Sequence, residues 1–245
     1  MLMNKNPYDI EYEIESFHWW FTTRRKLLGS ILSTLKLPPN CTTLDIGCGV
    51  GSNLRILRAM GLHVIGLDRS RYALSLAREK LEFPLINGDL NALPIRPNSV
   101  GLIIAMDILE HLENDANGIR QLYQALKGGG ILIVTAPAFQ FLWGIQDIVT
   151  GHKRRYSRKE ILSKLGHEKF LVLRSFYFNF FLFFPILFVR RMLYLSGLRI
   201  RSENEINYPF INFLLKAIFS LEPSILRFVS FPFGVSIFCI ARKIR

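Results

Sequence analysis

The chain has 245 residues, half of them hydrophobic, which is long enough for one α/β domain and too apolar for a disordered protein. Its three cysteines form no CxxC pair and no even framework, so the sequence predicts neither a disulfide scaffold nor a metal site. The net charge of +12 lies in residues 151–245, which hold 17 Lys/Arg against 5 Asp/Glu and are also strongly apolar. This combination favours an anionic membrane surface over nucleic acid as a partner.

Residues 1–36 are predicted to form a helical lid. The first residues are polar and acidic and lack the basic-then-apolar order of a signal peptide, which favours a cytosolic location. Residues 8–36 look helical, and Pro38 ends the pattern. We expect Trp20 and Arg25 to face a ligand beneath this lid; simple core packing of the aromatic side chains is the alternative.

Apolar runs then alternate with helical segments. The predicted strands are Thr42–Ile46, His63–Asp68, Leu85–Asn87, Val100–Met106 and Gly130–Ala136. The predicted helices between them are Ser52–Met60, Arg71–Leu81 and Ala116–Leu126. Alternation at this spacing predicts an α/β fold, a Rossmann-like, mostly parallel sheet with helices on both faces.

The C-terminal part adds two further strands to this sheet. Ser157–Leu165 is predicted to be a helix, with Ser157 and Glu160 as a capping box. Lys169–Tyr177 and Gly234–Arg242 are the predicted sixth and seventh strands. The expected domains are a core over residues 37–178 with an acceptor loop at 138–158, a hydrophobic helical insert at 179–233, and a final core strand at 234–245.

The segment LDIGCGVG, residues 44–51, carries the most specific motif. Asp45 lies in a strand end, and Gly47, Gly49 and Gly51 follow at alternate positions, where a strand must turn sharply into a helix. Glycines there let the backbone approach a ligand, and the helix start points free N–H groups at it. A dinucleotide fingerprint would need a third glycine at Ser52, which disfavours a nicotinamide-dependent oxidoreductase.

Three strand-end motifs follow in order: Asp68, Gly88-Asp89-Leu90, and AMDILEHL at residues 105–112. A carboxylate at Asp68 can accept hydrogen bonds from vicinal ribose hydroxyls. Over residues 40–140 these motifs resemble the class I methyltransferases, which implies S-adenosylmethionine (SAM) as cofactor. The resemblance places Asp89 near adenine and Met106 with Asp107 beside the sulfonium. The expected cofactor-binding residues are Trp20, Arg25, Asp45, Gly47, Cys48, Gly49, Gly51, Asp68, Arg69, Asp89, Leu90, Met106, Asp107 and His111, with a structural role for His111 equally open.

A narrower resemblance covers HWWF with Arg24-Arg25, Trp143, Asp147 and GHKRRYS. These segments look like a bacterial type 11/12-like methyltransferase subgroup whose genes accompany glycan or lipid-linked sugar synthesis. In the basic loop, His152 is the expected base, oriented by Asp147. The expected acceptor-binding residues are Trp143, Arg154, Arg155 and Tyr156, with the arginines suited to a phosphate or carboxylate. A solvated basic loop is the alternative.

Three apolar stretches dominate the insert, at Phe176–Val189, Phe210–Leu221 and Ile225–Phe233. Each is shorter than the roughly 20 residues that a spanning helix needs. We expect helices that lie in one leaflet, with basic residues at the headgroups, namely Arg190, Arg191, Arg199, Arg201, Lys216 and Arg227. A homodimer interface or a core cap is the alternative.

The sequence therefore predicts a SAM-dependent enzyme, peripheral to the inner face of the cytoplasmic membrane, that methylates an oxygen of a lipid-linked, glycan or prenyl-type acceptor. A SAM-binding module without catalysis is a second hypothesis. Nucleic acid methylation is disfavoured because the Asn/Asp-Pro-Pro-aromatic signature used on flipped bases is absent from the sequence.

Overall fold

A computed structural model of the chain describes residues 7–38, 40–80, 82–196, 208–226 and 228–244. Its strands are β1 (Thr42–Ile46), β2 (His63–Asp68), β3 (Leu85–Asn87), β4 (Val100–Met106), β5 (Leu126–Pro137), β6 (Phe170–Phe178) and β7 (Ser236–Lys243). They form one sheet in the order β3-β2-β1-β4-β5-β7-β6. The first five strands are parallel, and β7 runs antiparallel to β5 and β6. The predicted Rossmann-like, seven-stranded, mostly parallel sheet is confirmed.

The first four strands have the predicted bounds. β5 begins at Leu126, earlier than the predicted Gly130, because Leu126 pairs with Val100 before a shift in register. β6 begins one residue later than predicted, since Lys169 has a positive φ of 61° and belongs to the preceding turn. β7 begins two residues later and ends one residue later than the predicted Gly234–Arg242.

The helices are α1 (Pro7–Ile14), α2 (Trp19–Leu32), α3 (Leu54–Ala59), α4 (Arg71–Lys80), α5 (Asp115–Ala125), α6 (Ile145–Val149), α7 (Arg158–His167), α8 (Phe183–Ser196), α9 (Pro209–Phe219) and α10 (Glu222–Ile225). The predicted N-terminal helix is two helices, because His18 caps α2 by accepting a hydrogen bond from the Trp20 amide (3.4 Å). The predicted capping box of α7 is present at Ser157 and Glu160.

Two hydrophobic cores lie on the opposite faces of the sheet. In β4, Ile104 belongs to the core that packs against Leu28 of α2, and Ile103 belongs to the other, with Leu122 of α5 and Ile161 of α7. This alternation follows from the period of two in a strand, which sends neighbouring side chains to opposite faces. The sheet is therefore a rigid platform that holds the loops at its carboxyl edge.

The insert between β6 and β7 is partly a core cap and partly an exposed surface. Its helix α9 packs on α2, where the Trp19 amide donates to Asn212 Oδ1 (2.7 Å). Phe219 is fully buried, and its ring stacks with those of Trp20 (5.8 Å) and Phe178 (6.2 Å). None of the described helices combines the length and the hydropathy that a membrane-spanning helix needs.

The third apolar stretch of the insert is not a leaflet helix. α10 ends at Ile225, Leu226 is buried, and the segment then returns to the sheet, where Phe231 pairs with Tyr177. Leu226 and Phe231 therefore face the protein core, where β6 offers an unpaired edge, while Phe228 and Val229 between them are 89% and 50% exposed. The predicted headgroup contacts of Arg199, Arg201 and Arg227 lie outside the described residues.

Candidate functional site

A cleft of about 1000 Å³ lies at the carboxyl edge of the sheet, between the loop after β1, the end of β4, and helices α1, α2 and α8. The loop after β1 forms its floor, with positive φ angles at Gly47 (68°), Gly49 (52°) and Gly51 (86°). A Cβ atom at Gly47 would lie 1.8 Å from Ile108 Cδ1, so only glycine fits there. The loop therefore presents backbone atoms, and not side chains, to the cleft at its glycines, as the sequence predicts.

Asp45 lies beneath this loop and is 1% exposed. Burial raises the pKa of its carboxyl group to about 7, and a hydrogen bond with Asn53 opposes this shift. Oδ2 of Asp45 has no hydrogen-bond partner among the described residues. The neighbouring Cys48 lines the cleft, and burial raises the pKa of its thiol. Asp45 thus holds a buried acceptor atom next to the loop.

Asp68 connects the ends of β1 and β2. Its Oδ2 accepts a hydrogen bond from the Gly49 amide (2.9 Å), and its Oδ1 accepts one from the Ser70 amide (2.8 Å). Burial raises the pKa of the Asp68 carboxyl group although these bonds lower it. Asp68 and Arg69 both line the cleft. The carboxylate therefore shapes the glycine loop as well as facing the ligand space.

Asp89 and Leu90 form the far wall of the cleft. Asp89 is exposed, and its Oδ1 accepts hydrogen bonds from the amide (2.7 Å) and the side chain (3.0 Å) of Asn91. Leu90 is buried at 4% exposure. The pair offers one polar and one apolar group to a ligand, as expected from the sequence.

Met106 and Asp107 end β4 at the middle of the cleft. Asp107 has a positive φ of 54°. Its Oδ1 accepts a hydrogen bond from Thr135 Oγ1 (2.9 Å), and its Oδ2 pairs with Arg24 Nη2 (2.7 Å). The Arg24 guanidinium lies 5.0 Å from the centre of the Trp20 ring. The N-terminal helices thus reach the centre of the site through Arg24, a residue that the sequence analysis did not select.

Arg25 and Trp20, which the sequence analysis did select, also line the cleft. Arg25 is held by Glu15, with a distance of 2.9 Å from Nη1 to Oε2 and a second bond to the carbonyl oxygen. Trp20 stacks with Phe178 at 6.1 Å. The Trp20 ring packs on the core and also borders the cleft, so its contact with a ligand stays a prediction.

Helix α1 crosses the glycine loop. Tyr8 and Glu11 line the cleft, and Ser52 Oγ donates to Glu11 Oε1 (3.3 Å). Burial raises the pKa of Glu11 to about 7. The outer side of the helix is attached to α4 by a hydrogen bond from Tyr12 to Glu79 (2.9 Å). This helix is the inner part of the predicted lid, and its exposed attachments are of the kind that a mobile element can break.

The loop after β5 forms the other half of the cleft. Asp147 is fully buried, and its Oδ1 lies 2.7 Å from Nδ1 of His152. Although burial alone would raise its pKa, hydrogen bonds with His152 and Arg155 lower the pKa of Asp147 to about 2. The predicted pairing of Asp147 with His152 is thus present, and His152 lines the cleft. Its role as a base stays a prediction.

Glu110 and His111 lie beside His152. The ring centres of the two histidines are 4.7 Å apart, and Nε2 of His152 lies 3.9 Å from Glu110 Oε1. Burial raises the pKa of Glu110 well above its usual range and lowers that of His111 to about 4. Three groups that can bind a proton or an ion therefore meet at one wall of the cleft.

The other residues of the basic loop have contacts that fit structural roles. Arg154 donates to the carbonyl oxygens of Leu112 (3.0 Å) and Glu113 (2.9 Å). Tyr156 is buried and donates to Asp115 Oδ2 (2.8 Å). Neither residue lines the cleft, and neither does Trp143. The structure therefore does not place these three predicted acceptor residues in the cleft, and for Arg154 and Tyr156 the reason is a set of partners that lie about 40 residues away in the sequence.

Arg155 lines the cleft, as predicted, but its guanidinium is directed at Asp147 and at the carbonyl oxygen of Ala138 (3.0 Å). A guanidinium with these partners positions the loop and is not a free anion-binding group. Two residues that the sequence did not indicate line this half of the cleft, formed with the loop after β5 and called the acceptor half below. Asn179 has a positive φ of 58°, is fully buried and lines the cleft, and both amide atoms of its side chain lack hydrogen-bond partners among the described residues.

His18 is the second missed residue of this half. It is 2% exposed and lines the cleft, and its Nε2 has no hydrogen-bond partner within the described ranges. Burial lowers its pKa to about 4. From α8, Ile186 and Arg190 complete the wall. In the sequence, Asn179 and His18 are polar residues next to aromatic residues. This pattern is too common in proteins to indicate a binding residue by itself.

Comparisons with known proteins agree on the fold and on the domain. Residues 44–134 match the sequence model of a family described as "Methyltransferase domain". Mouse tRNA (carboxymethyluridine(34)-5-O)-methyltransferase ALKBH8 is 28% identical over 184 residues, which cover 70% of this chain and 26% of that protein. The chain thus spans about a quarter of the length of this relative.

Two solved structures share the fold at low sequence identity. The protein bound to the Trm112 methyltransferase activator in a Haloferax volcanii complex aligns with a TM-score of 0.65 and 15% identity, covering 99% of this chain and all of that one. Phosphoethanolamine N-methyltransferase 2 of Haemonchus contortus, in complex with SAM, aligns with a TM-score of 0.61 and 18% identity. That alignment covers 90% of this chain and 52% of the other.

The residues of the cleft fit SAM. The volume suits a ligand of this size, and Gly47 and Gly49 bring backbone without Cβ atoms to the edge of the cleft. The carboxylates of Asp68 and Glu11 line the cleft and supply acceptors near the loop for a cation and for hydroxyl groups, whereas Asp45, which the sequence also selects, lies beneath the loop and does not line the cleft. The aromatic rings of Tyr8 and Trp20 cover the space from the lid side.

Proposed function

We propose that this chain, whose residues 44–134 form a SAM-dependent methyltransferase domain, methylates an oxygen of a lipid-borne acceptor at an anionic membrane surface. The observation that carries the proposal is the position of α8, which lines the cleft on one side and exposes an apolar surface on the other. An acceptor with a lipid anchor could thus remain in the leaflet while its polar end enters the cleft. A lipid-linked sugar and a prenylated ring are the two acceptor types that suit this geometry.

The two sides of α8 differ in chemistry. Ile186 and Arg190 contact the cleft, where Arg190 is held near Asp147. On the remaining surface Phe184 and Phe188 are 64% and 66% exposed. Large exposed aromatic side chains on a helix are unfavourable in water and favourable at the boundary between headgroups and acyl chains.

Helix α9 also exposes large apolar side chains. Phe210 and Phe213 are 76% and 68% exposed, while Phe219 on the inner side is buried. Basic residues accompany the apolar ones, since Arg191 is exposed and residues 151–245 carry the whole net charge of +12. Cationic groups beside an apolar surface favour an anionic leaflet, which points to the cytoplasmic face of a membrane.

The chemistry of the acceptor half favours an oxygen acceptor. When bound, SAM supplies a methyl group on a positively charged sulfur, which an oxygen lone pair attacks in line. The buried amide of Asn179 and the nearby Glu110 and His152 can bind and orient a hydroxyl group. Trp20 and the lid exclude water from the same space. The relative ALKBH8 is, by its name, also an O-methyltransferase.

Flotation with vesicles tests the membrane part of the proposal. The protein should float with vesicles of phosphatidylglycerol and phosphatidylethanolamine, and much less with phosphatidylcholine or in high salt. The double variant Phe188→Ser/Met192→Ser should float at least about fivefold less, by loss of buried apolar area. Leu171→Ser/Leu173→Ser removes exposed side chains from β6 and should float like the wild type. A wild type that ignores anionic vesicles and dimerises through these helices would contradict membrane docking.

Transfer of a labelled methyl group tests the chemistry. Protein, methyl-labelled SAM and vesicles that contain a total bacterial lipid extract should give label in the organic phase, bound as a base-stable ether. Label that enters added RNA instead would favour nucleic acid as the acceptor. A protein that binds SAM and labels no fraction would favour the module without catalysis.

A further inference from the structure

The cluster formed by Glu110, His111 and His152 has the composition of a metal site. One ligand atom from each residue lies within 4.8 Å of the others, and all three residues line the cleft. We propose that this cluster binds a divalent cation of the first transition series, which faces the acceptor half of the cleft. The sequence predicts no metal site, because only the fold brings His152 to the adjacent residues Glu110 and His111.

Glu110 is the first observation that points to a ligand. It is 0% exposed, and both of its carboxylate oxygens lack hydrogen-bond partners among the described residues. A buried carboxylate without partners is costly, so native proteins pair such groups or use them to bind ions. The short turn Leu109–His111 fixes Glu110 four residues after the end of β4, and its Oε1 lies 3.9 Å from Nε2 of His152.

The two histidine rings are the second observation. Nδ1 of His152 lies 2.7 Å from Asp147 Oδ1, which leaves Nε2 facing Glu110. His111 makes a hydrogen bond with the backbone of Gly151. Metal-binding histidines commonly donate their other ring nitrogen to a carboxylate or a carbonyl, which fixes the tautomer and directs the free nitrogen at the metal. The ring of His152 is held in this way, and the ring of His111 packs edge-on against it, with the ring centres 4.7 Å apart.

The ligand set indicates the class of ion. Two imidazoles and one carboxylate suit Zn²⁺, Mn²⁺, Fe²⁺ or Co²⁺ better than Mg²⁺ or Ca²⁺, which prefer oxygen ligands. Ligands about 2.1 Å from one ion lie roughly 3 to 4 Å apart, and the contact between Glu110 and His152 already has this separation. Three protein ligands leave positions open toward the cleft. An acceptor oxygen could fill one of them, a step that rests on the proposed function.

This proposal competes with the sequence-based hypothesis that His152 is a base. Both roles use the lone pair of Nε2, so a bound metal ion would prevent that nitrogen from accepting a proton. Asp147 supports either role, because it fixes the same tautomer. Direct measurement of metal binding therefore separates the two hypotheses.

Metal titration of the full chain tests the proposal. Protein freed of metal by a chelator is titrated with Mn²⁺ by electron paramagnetic resonance and with Co²⁺ by visible absorption. One ion should bind per chain, and Glu110→Gln should weaken binding by more than about 10-fold. His63→Ala removes an exposed histidine at the start of β2 and should bind like the wild type. Circular dichroism and the melting temperature of Glu110→Gln, compared with those of the wild type, show whether the variant is folded.

A wild type that binds no stoichiometric ion overturns the proposal, and so does equal binding by Glu110→Gln. The titration uses neither an acceptor nor a membrane. A negative result in the vesicle or methyl-transfer experiments therefore leaves the metal result unaffected, and a negative metal result leaves those experiments unaffected.

Discussion

Asp147 and Arg155 form a bidentate ion pair inside the protein, with Nε to Oδ1 and Nη2 to Oδ2 distances of 2.9 Å each. Their side chains are 0% and 4% exposed. The same carboxylate accepts hydrogen bonds from His152 and from the Gly144 amide (2.8 Å). One buried carboxylate thus fixes the start of α6, the basic loop and the histidine that faces the cleft.

Asp147→Ala should destabilise the protein by about 3 to 5 kcal/mol, because it leaves the Arg155 guanidinium buried without its counter-charge. Urea unfolding measures this change. Glu168→Ala is the matched control, since Glu168 pairs with Arg120 at 3.4 Å on the surface, where Arg120 is 57% exposed. That variant should change stability by about 1 kcal/mol or less. Equal effects of the two variants would contradict the structural role of Asp147.

Gly47→Ala should abolish SAM binding, because the added Cβ atom would lie 1.8 Å from Ile108 Cδ1 in the loop that cradles the cofactor. Gly61→Ala is the control, as Gly61 also has a positive φ (77°) but meets no atom within 4 Å. Its free energy of unfolding should fall only by the backbone strain, about 1 to 2 kcal/mol, and it should bind SAM normally. Calorimetry with SAM checks both, and normal binding by Gly47→Ala would show that the loop can move.

Arg24→Ala should weaken SAM binding by about 10-fold or more, because it removes a charged hydrogen-bond donor from the centre of the cleft. Arg24 pairs with Asp107 there. Arg25→Ala should have a smaller effect, since its partner Glu15 does not line the cleft, whereas Asp107, the partner of Arg24, does. The SAM affinities of the two variants, measured by calorimetry, show which arginine contributes more to SAM binding. A larger loss in Arg25→Ala would restore the sequence-based choice.

Glu222 should make stability depend on pH. Burial raises the pKa of its carboxyl group to about 7. Hydrogen bonds from the backbone amides of Asn179 (2.6 Å) and Phe181 (3.0 Å) oppose this shift. The folded state then holds the proton more tightly than the unfolded one. The stabilisation is complete below about pH 4.5 and is lost as the pH rises through about 7, by about 3 kcal/mol in total.

Melting temperatures of the wild type and of Glu222→Gln, measured from pH 5 to pH 8, test this dependence. The variant keeps an uncharged side chain, so every other titrating group cancels in the comparison. The wild type should lose stability relative to the variant as the pH rises. A difference that stays constant with pH would show that Glu222 has an ordinary pKa.

Local patterns in the sequence predict most of the sheet. The bounds of β1 to β4 follow from apolar runs between turns, and the glycine loop follows from the need for a backbone without Cβ atoms at Gly47. The pairing of Asp147 with His152 is also predictable, because five residues separate the two within one short loop. Each of these inferences depends on neighbours along the chain.

The rest depends on contacts between distant segments. Tyr156 lies in the predicted acceptor loop, yet its hydroxyl group bonds to Asp115, 41 residues away. The backbone N–H of Asn179 donates to Glu222, 43 residues further along the chain, and this bond helps to hold Asn179 at the cleft. Glu110 and His152 meet across 42 positions of the chain. No local pattern marks such partners, so a sequence alone cannot tell a cleft residue from a loop residue here.

The position of β7 has a consequence for synthesis. It separates β5 from β6 in the sheet, yet it follows β6 only after the 57 residues between Phe178 and Ser236. At usual translation rates the ribosome needs roughly 3 to 11 s to add them. During that interval the edge of β5 that later pairs with β7 has no partner strand, and the ribosome releases the aromatic side chains of the insert. Nascent chains therefore pass through a stage in which a chaperone or a nearby membrane would protect them, and slow growth at low temperature should raise the yield of folded protein.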